Sequence, residues 1–114
     1  MNPPMMIPNA ERAVIATEKL TAYLLNPSHK CGAAKARLLL SLGYRTVAPE
    51  VLELDLRTQH LALDVTRTSA NDYGVVYEIE GPITTPGGRI ARFYSIWQID
   101  TGSEVPRLIT MYPR

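Results

Sequence analysis

Two side chains in the first third of the chain are of the right type, and close enough in sequence, to do chemistry together: His29 and Lys35. At roughly 100° per residue, the segment from Ala33 to Leu42 projects Leu38, Leu39 and Leu42 onto one side of a helix, with Lys35 between Leu39 and Leu42. Arg37 and Ser41 fall opposite, on the solvent side. A lysine on that apolar face, one turn from the helix start, is opposed by desolvation and by the positive end of the helix dipole. It calls for a carboxylate partner, an anionic ligand, or a path by which the ammonium snorkels to water. His29 lies in the turn that leads into the same helix, and an unperturbed imidazole titrates near ~6.5, in the range of a general acid or base. A helix N-terminus next to it can also hold an anion.

These residues need elements to hold them. Thr17 is placed to cap a first helix that runs to about Leu25, with Leu20, Tyr23 and Leu24 on one face and Asn26-Pro27 as its stop. Lys19 and Tyr23, four apart, share a side of it. The second helix ends at Gly43. Pro49 suits the first position of a third, which carries Val51, Leu52 and Leu56 inward and ends near His60. The same stretch also alternates in a way that suits a strand. The pattern then changes: Val65 to Ser69, Gly74 to Glu80, Arg89 to Ile99 and Arg107 to Tyr112 are β-rich segments separated by turn signals. Helices first and a strand meander afterwards predict an α+β fold, with two or three N-terminal helices packed on one face of a four-stranded antiparallel sheet. Residues 1–8, with three prolines, read as an extended or disordered arm, and 9–114 as a single domain. Phe93, Ser95, Trp97 and Ile99 share one face of the third strand and Arg92, Tyr94, Ile96 and Gln98 the other, but the last strand does not settle which set faces the helices.

Composition narrows the class. A hydrophobic fraction of 46% and a formal charge of +1 over 114 residues are those of an ordinary globular domain. There is no global basic signature of a general nucleic-acid coat, although a compact phosphate-directed site needs only a few local cations. No apolar run approaches the ~20 residues that cross a bilayer, and the start lacks the pattern of a signal peptide, so a cytoplasmic location is the expectation. One cysteine, Cys31, and two histidines exclude an internal disulfide and a structural zinc site. No metal or cofactor is expected.

Three segments together resemble a bacterial family of uncharacterised domains: Glu18 to His29 with Gly32 to Ala36, Tyr73-Gly74 through Trp97, and Pro106 to Tyr112. The shared pattern includes Lys19, His29, Gly32, Lys35, Trp97, Arg107 and Thr110. That family looks like one found as short bacterial proteins and at the C-termini of phage-related and toxin-like proteins. Its layout is similar to the barnase, EndoU, colicin and RelE group of ribonuclease toxins, an analogy of fold. What the resemblance implies is a metal-independent cleavage of RNA. That reaction needs a base for the 2′-hydroxyl, an acid for the leaving oxygen, and donors for the phosphorane. His29, Lys35, Arg107 and Thr110 form the expected catalytic set, and Lys19, Tyr23, Trp97 and Tyr112 the expected substrate-binding rim. The implied partners are RNA and a small inhibitor of the antitoxin or immunity kind.

Each residue also has a duller use. His29 can pin the Asn26 to Gly32 turn, and Arg107 can pair with Glu78, Glu80 or Asp100. Trp97 and Tyr94 are of the kind that fills cores, and Thr110 suits a strand without any function. His60 stands alone in sequence and reads as structural. On this alternative the chain is a non-enzymatic interaction module, and its polar residues tie the helical corner to the sheet.

Overall fold

A computed structural model describes residues 5–114 of the chain. Among them are three helices followed by one four-stranded antiparallel sheet in the order β1-β2-β3-β4, the α+β meander expected. The strands are β1 (Arg67–Asn71), β2 (Gly74–Thr84), β3 (Ile90–Asp100) and β4 (Arg107–Pro113). Helix α2 spans Ala33–Ser41. Helix α1 begins as Thr17–Lys19 and continues as a π-helical turn over Leu20–Leu24. Helix α3 likewise runs from Pro49–Asp55 into a π-helical turn over Leu56–His60. Pro49 opens α3, where the missing N–H has no partner to lose. Gly43 follows α2 at φ +105°, a conformation that side chains rarely adopt.

Several local expectations are corrected. Thr17 is not the cap of α1: Ala16 holds that position without a side-chain bond, and Thr17 is already helical, its carbonyl accepting from the Thr21 hydroxyl at 3.1 Å. Val51 is 38% exposed, because Leu52 and Leu56, four apart, take the buried stripe of α3. In the arm assigned to residues 1–8, residues 1–4 lie outside the described residues. Ile7 is a core side chain, and the Met5 carbonyl accepts from the Val65 N–H at 2.7 Å. Val65 therefore bonds to the N-terminal segment, and β1 starts at Arg67.

The helices cover one sheet face. Leu20, Leu24, Leu39, Leu52 and Leu56 pack onto Ile79, Ile83, Phe93, Trp97 and Met111, all buried. Phe93, Ser95 and Trp97 are thus the inward set of β3. A β-bulge decides β4. Ile96 pairs with Thr110 and Trp97 with Leu108, leaving Ile109 as the extra residue. Leu108 and Met111 therefore both face the core although they are three apart, and Thr110 and Tyr112 both face outward.

A polar seam crosses this core. The His60 Nε2–H donates to the Gly81 carbonyl at 3.1 Å, so Nδ1 accepts from the Ser95 hydroxyl at 2.6 Å. The Ser95 oxygen in turn accepts from the Trp97 indole N–H at 2.9 Å. Every member is paired, as buried polar groups must be. Burial pushes the His60 pKa down, against smaller opposing effects of the Gly81 carbonyl and Glu80.

The two sheet edges differ. Along β4, the Val14 N–H donates to the Pro106 carbonyl at 2.8 Å and the Val14 carbonyl accepts from Leu108 at 2.9 Å, a parallel bridge that straps the edge. The five residues of β1 are all exposed.

Candidate functional site

The strapped edge is where helices and sheet exchange side chains. In α1 the π turn closes with the Leu25 N–H donating to the Leu20 carbonyl at 2.8 Å. Leu20 and Leu24 anchor the turn in the core and leave Tyr23 half-buried beside α2. Asn26 organises the connection that follows: its carbonyl accepts from the His29 N–H at 3.1 Å and its Oδ1 from the Ser28 N–H at 2.9 Å. His29 then receives the chain at the start of α2. Its Nδ1 accepts from the N–H groups of Cys31 at 3.0 Å and Gly32 at 2.9 Å. Those bonds take up the Nδ1 lone pair, so in the neutral ring the proton sits on Nε2. The His29 ring meets Tyr23 edge-on, with centroids 4.8 Å apart.

Gly32 makes this corner possible. A Cβ there would lie 2.7 Å from the Tyr23 Cε1 and 2.8 Å from its Cδ1, so the ring lies directly against the backbone.

Lys35, near the start of α2, completes a triangle. Its Nζ donates to the Tyr23 hydroxyl at 2.6 Å and to the Thr110 Oγ1 at 3.2 Å, and the two hydroxyls are 3.1 Å apart. Among the described residues no carboxylate lies within 4.0 Å of this ammonium. Its remaining favourable contacts are aromatic: Nζ is 5.1 Å from the Tyr23 ring centroid and 5.9 Å from that of Tyr112. Lys19 approaches the Tyr23 ring as well, at 5.6 Å. An ammonium has three N–H donors. Two go to the hydroxyls, and the third has no acceptor among the described residues.

The phenols on either side of Lys35 are tuned in opposite directions. Burial pushes Tyr23 up, but hydrogen bonds from Lys35 and Thr110 and the charges of Lys35 and Lys19 outweigh it, and its pKa lies below the ordinary phenol value. Tyr112 is raised by burial and by the Glu78 charge, whose carboxylate accepts its hydroxyl at 3.2 Å.

The expected residues fall into three groups. Lys35, Tyr23 and Thr110 are in mutual contact, with Lys19 and Tyr112 beside them and His29 against the Tyr23 ring. Arg107 stands at the start of β4, bonded to Asp100 through Nε at 2.7 Å and an Nη at 3.1 Å. Trp97 is fully buried on the helix-facing side of the sheet, its N–H given to Ser95, so it is a core residue with no surface for a ligand. Tyr94, which shares the open face, stacks on Tyr112 at 5.1 Å. Tyr23, expected in the substrate-binding rim, stands instead at the centre of the cluster: its hydroxyl meets partners 12 and 87 positions away, which its spacing from Lys19 does not reveal. Among the described residues no three His, Cys, Asp or Glu side chains are grouped to hold a metal ion, and no helix is long and apolar enough to cross a membrane. A largely apolar pocket of about 250 Å³ lies elsewhere, between Met6, Ala10, Arg57 and Leu61.

A family model described as a domain of unknown function, DUF6883, matches residues 6–114. No curated protein matches the chain. Among solved structures, the fold is similar to a chain of a contact-dependent growth inhibition toxin–immunity protein complex from Klebsiella pneumoniae 342. The TM-score is 0.60 at 18% identity, over 89% of this chain and 99% of that one. At that identity the likeness is one of fold.

Proposed function

The chain belongs to the DUF6883 family, and from that premise we propose that it is a toxin-type ribonuclease domain whose site is the Tyr23–Lys35–Thr110 triangle. The observation that carries this reading is the ammonium of Lys35, held by hydroxyls and, among the described residues, unmatched by a carboxylate and left with a donor to spare. A phosphodiester supplies the missing charge. In the proposed reaction the 2′-hydroxyl of RNA attacks the adjacent phosphorus and the bond to the 5′ oxygen breaks. Tyr23 takes the 2′ proton as its phenolate, the form that the Lys35 ammonium favours; Lys35 gives a proton to the leaving 5′ oxygen and regains one from the Tyr23 hydroxyl across their hydrogen bond. Lys35 and the Thr110 hydroxyl stabilise the charge gathering on the phosphorane oxygens. His29, with the Nε2 proton of its neutral ring, completes the set as a hydrogen-bond donor to the substrate, and Arg107, bonded to Asp100, stands outside it. Lys19 and Tyr112 line its approach. The toxin reading draws support from the fold shared with one chain of a toxin–immunity protein complex, and it brings with it a small inhibitor protein that covers the triangle.

The test is purified protein incubated with cellular RNA, wild type beside Lys35→Ala and Tyr23→Phe. Cleavage by wild type that falls at least a hundredfold in both variants is expected. Intact RNA with wild type, together with unimpaired growth of a host lacking any inhibitor, overturns the proposal. The closure of the triangle favours one other reading, an interaction module in which these bonds fasten α1 and α2 to β4. On that reading Lys35→Ala lowers the melting temperature and RNA is untouched by every variant.

A further inference from the structure

The sheet face that the helices leave uncovered carries a second arrangement, and the strand register orders it. Glu78, Ile96 and Thr110 stand directly opposite one another on β2, β3 and β4, and Glu80, Tyr94 and Tyr112 form the next row. The first row therefore runs from Thr110, which touches Lys35, to Glu78 two strands away, a distance of about 10 Å in strand spacings. Tyr112 bridges it: rooted on β4, it donates its hydroxyl to Glu78 on β2 at 3.2 Å, so its side chain crosses β3. There it stacks on Tyr94, with centroids 5.1 Å apart and planes 29° from parallel. Tyr94, Ile96 and Tyr112 are each only partly buried. The Lys35 ammonium stands 5.9 Å from the Tyr112 centroid. The two carboxylates of the face differ. Glu80 is engaged by Arg92 and Arg114. Glu78 makes no ion pair among the described residues, not even with Arg67 opposite it on β1, and its second oxygen receives no hydrogen bond from them.

We infer that this face is a guanine subsite: the base lies on the Tyr94–Tyr112 pair, with its Watson–Crick edge on the Glu78 carboxylate and the 3′ phosphate of the same nucleotide at Lys35. Single-stranded RNA is recognised through bases splayed onto aromatic rings and read along their Watson–Crick edges. An ionised carboxylate only accepts hydrogen bonds, and guanine alone among the four bases sets two donors, N1–H and the 2-amino group, side by side on that edge. Adenine and cytosine place an acceptor nitrogen beside their amino group, and uracil places its one donor between two carbonyl oxygens. Each of these would turn a lone pair toward Glu78. The separation of ammonium and ring is one that a single nucleotide spans. The inference rests on the proposed function for placing the phosphate at Lys35. It adds which nucleotide supplies the attacking 2′-hydroxyl.

The probes are nucleoside 3′-monophosphates, which carry the base and phosphate of that nucleotide but no bond to cleave, titrated by calorimetry. Wild type binds guanosine 3′-monophosphate at least tenfold more tightly than the uridine compound. Inosine 3′-monophosphate, which lacks only the 2-amino group, binds at least threefold more weakly than the guanosine compound. Glu78→Gln weakens the guanosine compound at least tenfold and leaves the uridine compound within twofold. Tyr94→Ala weakens both by the same factor, because stacking is indifferent to the base edge. Circular dichroism verifies folding, and the inosine comparison uses wild type alone, so it decides the matter whatever the variants do. Absent binding, equal affinity for guanosine and uridine compounds, inosine equal to guanosine, a preference that survives Glu78→Gln in a folded protein, or no effect of Tyr94→Ala overturns the inference. Guanosine-selective binding by a protein that leaves RNA intact defeats the ribonuclease reading and leaves the subsite standing. Cleavage of RNA by a protein that binds all the monophosphates alike does the reverse.

Discussion

Lys35 was legible from periodicity as a cation misplaced on an apolar helix face, because a heptad-scale pattern is a local property. Its partners were not, since Tyr23 lies across a turn and Thr110 is 75 positions away. The hydroxyls that replace the expected carboxylate lead to a spectroscopic prediction. The ultraviolet titration of wild type minus that of Tyr23→Phe isolates one phenol, which ionises below the bulk tyrosines. In Lys35→Met, which keeps the stem and removes the charge, that component moves upward, because the ammonium favours the phenolate. A component unmoved by the substitution would mean that Lys35 does not set the Tyr23 pKa. Gly32 supplies a second test at this scale. Gly32→Ala forces a methyl group into the Tyr23 ring and is expected to lower stability by about 1–3 kcal/mol, read by chemical denaturation. His29 shows how one residue supports two readings: its turn role is visible in the bonds to Nδ1, and its Nε2 proton is what remains for a ligand.

Elements were easier to read than their faces. Pro49 and Gly43 punctuate the helices where the sequence placed them, but the inward stripe of α3 uses Leu52 and Leu56 and leaves out Val51. Leu52→Ala should therefore cost about 2–5 kcal/mol, while Val51→Ala stays within about 0.5 kcal/mol; denaturant midpoints of the two variants check this directly. Both π turns carry a polar residue into a network, Tyr23 in α1 and His60 in α3, and nothing in a single sequence distinguishes a π turn from an α turn. The seam through His60 fastens α3 to the sheet and confers a pH dependence. The folded-state pKa of His60 lies below its unfolded value of ~6.5, so the folded protein resists the proton that the unfolded chain accepts. This contribution is fully present above pH ~6.5 and is lost as pH falls from there toward the folded pKa. Denaturation series at pH 7.5 and pH 5 should show wild type losing more stability than His60→Gln, and equal losses would count against the assignment. Ser95→Ala strands both the indole N–H and the His60 Nδ1, with an expected loss of about 2–4 kcal/mol.

At the scale of the whole molecule, the order of helices and strands specified the α+β architecture, because each segment's period and the shortness of the strand connections leave few topologies. Trp97, the single tryptophan, sits in the core that joins the three helices to β2, β3 and β4. Its fluorescence and the far-ultraviolet circular dichroism should report one coincident unfolding transition, and separated midpoints would show that the helical corner opens on its own. The bulge at Ile109 has a further consequence, in terms of chain length. With Ile109 deleted, Leu108, Thr110, Met111 and Tyr112 still alternate inward and outward, so β4 can pair without interruption and the core keeps its side chains. What changes is the bend of the edge that presents Thr110 to Lys35. A one-residue deletion thus separates the integrity of the fold from the aim of the site, and a homologue with a gap at this position would keep the architecture while losing the triangle.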